Sequence, residues 1–362
     1  MRKINHKQLR DVLKIAYKAR TPLMIHGTMG IGKSQSVREV CREIAEDGKL
    51  EFYDNEMDGD KAFCFIDVRI SQLDPSDLRG LPSIQDGSTT WLPPSWLPKH
   101  PKSRGILFFD ELNLAPPSIQ ASAYQLILDR RLGEYRLPDG WIIISAGNTS
   151  DDRASIFELP APLANRFIHI ELSVPTKDEW TEWALANNVN GNIISFLELK
   201  PSFLYTFNKN NKDKAFATPR TWEYTNRLMN ISGTRNFDEL EIIISASVGE
   251  AIATEFIAHM RLVNQINIDD LLDNPERVKE INSLDLKYSL LGAIVEKYRA
   301  DSKILPKAIN VCLNMEPEFA ILLLRFLKST QSSFVKEVIK LPTWKLVFNK
   351  YGKYLIDLQG DK

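Results

Sequence analysis

In the first half of the chain, apolar positions gather into five short runs: Pro22–Ile25, Phe63–Ile70, Ile106–Phe109, Trp141–Ala146 and Phe167–Leu172. Each is apolar nearly throughout instead of alternating with polar residues. Parallel strands covered on both faces read this way. Between them lie helical patterns. Residues 6–19 place Leu9, Val12, Leu13, Ile15 and Ala16 on one predicted face, and Ser36–Ala45 repeats with helical spacing. Strands alternating with helices predict an α/β domain built on a parallel sheet. After Pro175 the periodicity turns helical, over Glu179–Ala186, Ile193–Leu199, Trp222–Ile231 and Phe237–Leu262. Residues 284–358 continue it, punctuated by Pro306, Pro317 and Pro342. A domain boundary near residue 174 is expected.

Composition narrows the class without naming it. The 362 residues are 43% hydrophobic and 26% charged, with a formal net charge of −1. Such a length accommodates two or three domains and a core needing no covalent staples. A nearly neutral chain has no global attraction to nucleic acid or to a membrane surface. The three cysteines, Cys41, Cys64 and Cys312, are scattered and odd in number. Neither a disulfide framework nor a metal cluster is expected, and a reducing compartment fits. No run of about 18 apolar residues is present, and no apolar segment follows the basic start, so a cytoplasmic protein is expected.

The chemistry begins at Gly27-Thr28-Met29-Gly30-Ile31-Gly32-Lys33-Ser34, which follows the first strand and opens the helix carrying Gln35. A strand, a glycine-rich turn and a helix N-terminus make an anion cradle. Backbone N–H groups converge there, and the helix dipole favours negative charge. Lys33 reaches the outer phosphates of a nucleotide, and the Ser34 hydroxyl suits magnesium. The third strand, Ile106–Phe109, ends in Asp110-Glu111. In that position Asp110 holds a metal and Glu111 polarises an attacking water as general base. The fourth strand runs into Asn148, which either orients that water or caps a turn. Arg166 stands where a helical turn meets the fifth strand. It is either a cation lent to a neighbouring site or a structural arginine at the sheet edge, and Arg153 is a second candidate for the same service. In Ala217-Thr218-Pro219-Arg220, Thr218 caps a helix and Pro219 fills its first turn. Arg220 then either reaches phosphates or lies as a surface charge beside the cap. Asp86-Gly87, between Gly80–Gln85 and Ser88–Leu92, signals a hairpin, although Trp91, Trp96 and the neighbouring prolines would also pack as an ordinary apolar patch.

These elements, in this order, resemble those of the AAA+ ATPases across about residues 1–262. Asp74-Pro75-Ser76-Asp77-Leu78-Arg79-Gly80-Leu81-Pro82 with Thr89-Thr90-Trp91-Leu92-Pro93-Pro94 resembles the helix-2 insertion of the MoxR branch, as does Leu126-Ile127-Leu128-Asp129-Arg130-Arg131-Leu132-Gly133 the segment after Walker B. The resemblance implies a five-stranded parallel sheet of order 5-1-4-3-2 over residues 1–174, with an insertion hairpin at about 74–98. It further implies a helical lid over 175–262, leaving 263–362 as a C-terminal helical extension that matches no family motif. Gly27 to Ser34 match Walker A, Asp110 and Glu111 Walker B, Asn148 sensor 1, Arg166 the arginine finger and Arg220 sensor 2. ATP and Mg2+, a hexameric ring and a partner with a von Willebrand factor A domain are implied in the same way. The function expected is ATP-driven remodelling of a partner protein. The alternatives are a nucleic-acid motor or restriction-type NTPase, a small-molecule kinase, and a module that senses nucleotide without turnover. The hairpin tip, Ile84 to Thr89, has no Lys or Arg, which speaks against nucleic acid.

Overall fold

A computed structural model describes residues 1–55, 59–149, 156–210, 212–234, 236–262, 266–331 and 333–355. The chain folds as two compact units, Met1–Pro175 and Thr176–Lys362. The first unit runs β1 (Lys3–Ile4), α1 (His6–Ala19), β2 (Leu23–His26), α2 (Lys33–Asp47), β3 (Glu51–Asp54), β4 (Ala62–Arg69) and α3 (Pro75–Arg79). It continues through β5 (Leu81–Gln85), β6 (Ser88–Leu92), β7 (Arg104–Asp110), α4 (Pro117–Asp129), β8 (Arg131–Leu132), β9 (Tyr135–Arg136), β10 (Gly140–Gly147), α5 (Ala161–Ala164) and β11 (Ile168–Leu172).

Seven of these strands form one parallel sheet, ordered β1-β11-β2-β10-β7-β4-β3. The inner five reproduce the expected 5-1-4-3-2 order. The count of five is corrected to seven, because β1 and β3 add one strand at each edge. Both are short, and β3 is only half-buried, so neither leaves an apolar run in the sequence. Four of the inner strands, β2, β4, β7 and β10, are buried almost end to end, as strands sandwiched between helices must be, whereas β11 is buried only at Ile170 and Leu172.

One face of the sheet meets α1 and α2. Tyr17 packs edge-on against Phe63 at 5.2 Å, and the Arg38 guanidinium lies 4.8 Å over Phe65. Along α1 the buried residues are Leu9, Leu13 and Ala16. Ile15, expected on that face, is 65% exposed. The reason is geometric: 9, 13 and 16 are spaced four and three, whereas 15 falls about a quarter-turn off the stripe. The opposite face carries the apolar core of Cys64, Ile66, Leu107, Phe109 and Ile143 against Ile119, Ala123 and Leu126 of α4. Cys41, Cys64 and Cys312 are buried.

Strands β5 and β6 pair antiparallel with Gln85 opposite Ser88. Asp86 (φ 50°) and Gly87 (φ 74°) both have positive φ, which a two-residue type I′ turn requires. Ile84 at the tip is 82% exposed. Of the two tryptophans that the alternative of an ordinary apolar patch would pack, Trp96 meets Phe109 edge-on at 6.4 Å, while Trp91 is exposed.

The second unit is helical among its described residues: α6 (Lys177–Ala186), α7 (Gly191–Leu199), α8 (Pro219–Ser232), α9 (Phe237–Val248), α10 (Glu250–Leu262), α11 (Ile268–Asp273), α12 (Leu284–Ala300), α13 (Leu305–Asn314), α14 (Pro317–Thr330), α15 (Phe334–Val338) and α16 (Pro342–Leu355). The helix expected over Phe237–Leu262 is two helices. Gly249, at φ +95°, breaks it, and a Cβ there would stand 3.0 Å from the Ala215 carbonyl. A single apolar core joins residues on both sides of position 263, including Phe196, Phe256, Leu291 and Phe326. Among the described residues, no helix is long and apolar enough to cross a membrane.

Candidate nucleotide site

Parallel pairing brings three strand ends to one edge of the sheet. In register, Gly147 of β10 lies beside His26 of β2, and Ser145 of β10 lies beside Phe109 of β7. The loop after β2 therefore starts next to the end of β10, and the Gly27 N–H donates to the Gly147 carbonyl at 3.2 Å. Ligands of parallel α/β sheets bind at this carboxyl edge.

The loop Gly27–Gly32 wraps toward the N-terminus of α2 with positive φ at Gly30 (73°) and Gly32 (91°). At Gly27 a Cβ would stand 2.9 Å from Ile31 Cδ1 and 3.1 Å from the Leu172 carbonyl. Gly32 is the N-cap of α2 and provides no side-chain cap. The first N–H groups of this 15-residue helix thus lack the side-chain acceptor that Asn5 supplies to α1 and Thr176 to α6. An anion fits that end, so the cradle suits a polyphosphate.

Lys33 folds back over the loop. Its Nζ donates to the carbonyls of Gly27 (2.6 Å) and Thr28 (3.0 Å) and to Asn148 Oδ1 (3.1 Å). Two residues singled out for chemistry, one on the first strand's loop and one after the fourth strand, are thus in contact. Asp110 and Glu111 stand at the end of β7. Glu111 adopts left-handed backbone (φ 58°, ψ 33°), unusual for a residue other than glycine, and its N–H donates to Asp110 Oδ1 at 3.0 Å. The Ser71 hydroxyl donates to Glu111 Oε2 at 2.7 Å. Nearby on β4, burial and then the charge of Asp110 push the Asp67 carboxyl up to about 6. Oxygen donors from Asp110 and Ser34 are the ligand type a magnesium ion takes.

His26 and His169 continue the edge. His169 Nε2 donates to the Ala164 carbonyl at 2.7 Å, which leaves His169 Nδ1 to accept from His26 Nε2 at 3.0 Å. Burial, then the neighbouring His169, lowers His26 to about 4. Arg166 is exposed on the turn between α5 and β11, and its N–H closes that turn on the Leu163 carbonyl. Arg153 lies outside the described residues. Arg220 belongs to the second unit, exposed in the first turn of α8. There Thr218 accepts from the Thr221 N–H at 3.1 Å, and Pro219 sits in that turn, as the sequence predicts.

Sequence reasoning missed Ser71, His26, His169 and Asn113. Asn113 donates from its amide to the Asn148 carbonyl at 2.8 Å and accepts from the Asn148 N–H at 3.0 Å. Its position two residues past Glu111 was the one available signal.

No protein-family model matches the chain. It is 26% identical over 161 residues to Protein MoxR of Methylorubrum extorquens, spanning 43% of this chain and 42% of that protein. Against Protein MoxR of Paracoccus denitrificans it is 25% identical over 173 residues, 46% of each chain. The match therefore spans less than half the length of these relatives. Solved structures with a general likeness include NtrX from Brucella abortus in complex with ADP, at 16% identity and TM-score 0.38, covering 90% of this chain and 68% of that one. A mutant of RuvB from Thermotoga maritima follows at 14% identity and TM-score 0.33, covering 75% of each. Both scores are too low to bear on function. A sheet of the expected strand order, a glycine loop feeding an uncapped helix, acids ending β7 and two MoxR relatives make the chain similar to the MoxR-type AAA+ P-loop NTPases.

Proposed function

We propose that this chain hydrolyses ATP and uses the cycle to remodel a partner protein. The observation that carries the reading is the contact of Lys33 with Asn148 at the sheet edge where β7 delivers Asp110 and Glu111. In this reading Gly27, Thr28, Met29, Gly30, Ile31, Gly32, Lys33, Ser34 and Gln35 cradle the phosphates. Ser34 and Asp110 would hold Mg2+, which supplies charge neutralisation between the outer phosphates. Glu111 takes a proton from the attacking water, and Asn148 orients that water beside the γ-phosphate. Lys33 exchanges its loop carbonyls for phosphate oxygens. Arg166, exposed and held on a closed turn, serves the site of a neighbouring copy in a ring, the hexamer usual in this branch. Arg220, as the sensor 2 match, would read the same phosphates from a lid over residues 175–262, with residues 263–362 as a C-terminal helical extension. Turnover moves the β5–β6 hairpin against the client. The exposed apolar tip at Ile84 favours a protein client over nucleic acid. The chain would act in the cytoplasm, and a protein carrying a von Willebrand factor A domain is the partner class proposed.

Glu111→Gln tests the reading. ATP binding should persist while turnover falls at least about 100-fold, the usual contribution of a positioned base. The trapped complex should then retain its client. Undiminished turnover removes Glu111 from the role of base. Stimulation of the wild type by DNA or RNA instead of by a protein transfers the chain to the nucleic-acid reading.

A further inference from the structure

Leu112–Leu114 forms a single 3-10 turn directly after Glu111, with Asn113 at its centre, 5% exposed. Both hydrogen bonds of its side-chain amide go to one residue. Nδ2 donates to the Asn148 carbonyl at 2.8 Å, and Oδ1 accepts from the Asn148 N–H at 3.0 Å. The donor and acceptor on Asn148 fix which way the amide faces, since a flipped amide would set N–H against N–H. β10 ends at Gly147, so the next peptide groups have left the strand. At that point the Asn113 amide bonds the Asn148 backbone as a neighbouring strand would.

Two further observations lie outside these bonds. A Cβ on Gly147 would stand 2.6 Å from Asn113 Oδ1 and 2.6 Å from Met24 Cε, so only glycine lets the amide approach. The Asn113 carbonyl accepts the Phe157 N–H at 2.8 Å, in the segment that leads into α5 and the turn bearing Arg166. Asn113 therefore ties three places together: the end of β7 beside Glu111, the backbone of Asn148, and the approach to Arg166. The Asn148 side chain, in turn, receives the Lys33 ammonium.

We propose that Asn113 is a positioning residue that sets the Asn148 side chain for hydrolysis and links it to the acids of β7. The inference rests on the ATPase reading above. Asn113 touches neither nucleotide nor metal in this account. It acts by fixing the backbone from which Asn148 projects, and by leaving that backbone no unpaired N–H to reorient.

The test compares Asn113→Ala, Asn148→Ala and the double variant in the full chain. Steady-state ATP turnover is read together with hydrogen exchange at the Asn148 amide. Asn113→Ala should lower kcat at least about tenfold with KM for ATP within about twofold, and should speed exchange at Asn148. The double variant should be no slower than Asn148→Ala alone, because both substitutions disable one device. If Asn113→Ala fails to fold, Asn113→Asp answers instead. It keeps the volume and the acceptor for the Asn148 N–H but turns a carboxylate oxygen on the Asn148 carbonyl, and the same loss of kcat is expected. Losses that multiply in the double variant, or an unchanged kcat, overturn the inference while leaving the ATPase reading intact. A wild-type chain without turnover overturns that reading, and this one with it.

Discussion

Removing the Lys33 ammonium is the sharpest test of the phosphate cradle. Its Nζ donates to the Gly27 and Thr28 carbonyls and to Asn148 Oδ1. A nucleotide must compete for it, so the value of Lys33 to binding is a difference. A unit positive charge about 4 Å from a phosphate charge contributes about 4 kcal/mol at an effective dielectric of about 20. Giving up part of these contacts costs about 1 kcal/mol, since a hydrogen bond to a charged group contributes only a few kcal/mol net. Lys33→Ala should therefore weaken ATP binding by about 3 kcal/mol, or somewhat more than 100-fold. Titration with a fluorescent ATP analogue reads this directly. The same substitution deprives two loop carbonyls of a donor, so a melting shift of about 2–4 °C is expected. A larger shift would mean the loop had collapsed, and Lys33→Met would then replace Ala as the probe. An affinity within about threefold of wild type, in a variant that still melts cooperatively, would refute the cradle.

Two other outcomes follow from the structure. Arg166→Ala should bind ATP normally yet fail to turn it over, and mixing it with the Lys33→Ala chain should restore part of the activity. An absence of recovery at every mixing ratio would count against a cation lent between copies. In the second unit, His259 is 3% exposed, and burial, then the charge of Lys200, lower its ring to about 4. An unfolded histidine takes its proton near 6.5, so between those values the unfolded chain binds more protons than the folded one. The associated stability is present above about pH 6.5 and is lost as pH falls toward 4, up to about 3 kcal/mol in all. Guanidinium denaturation at pH 7 and pH 5 should show a smaller loss in His259→Gln, and identical losses would exclude His259 as the source.

Much of the first unit was legible because its signals are local. Five apolar runs marked the inner strands, and the order 5-1-4-3-2 followed from the family resemblance. Asp86-Gly87 marked a turn because both residues tolerate positive φ. Thr218-Pro219 marked a helix start for equally local reasons. The edge strands Lys3–Ile4 and Glu51–Asp54 escaped notice because a short, half-covered strand has no apolar run to betray it. Gly249 was absorbed into a longer helix because periodicity resumes on its far side; its φ of +95° is a matter of backbone, not of pattern.

The amino-acid order alone determined where a candidate phosphate-binding loop, a metal-compatible strand end and a hairpin lie along the chain. Each depends on backbone freedom or burial within a few consecutive residues. Tertiary structure alone decided which of them meet. Asn113 reaches Asn148 across 35 residues, Ser71 reaches Glu111 across 40, and His26 reaches His169 across 143. A side-chain hydrogen bond leaves no periodic trace in sequence. It exists because parallel pairing of β11, β2, β10, β7 and β4 sets their ends side by side, and only the folded sheet supplies that neighbourhood.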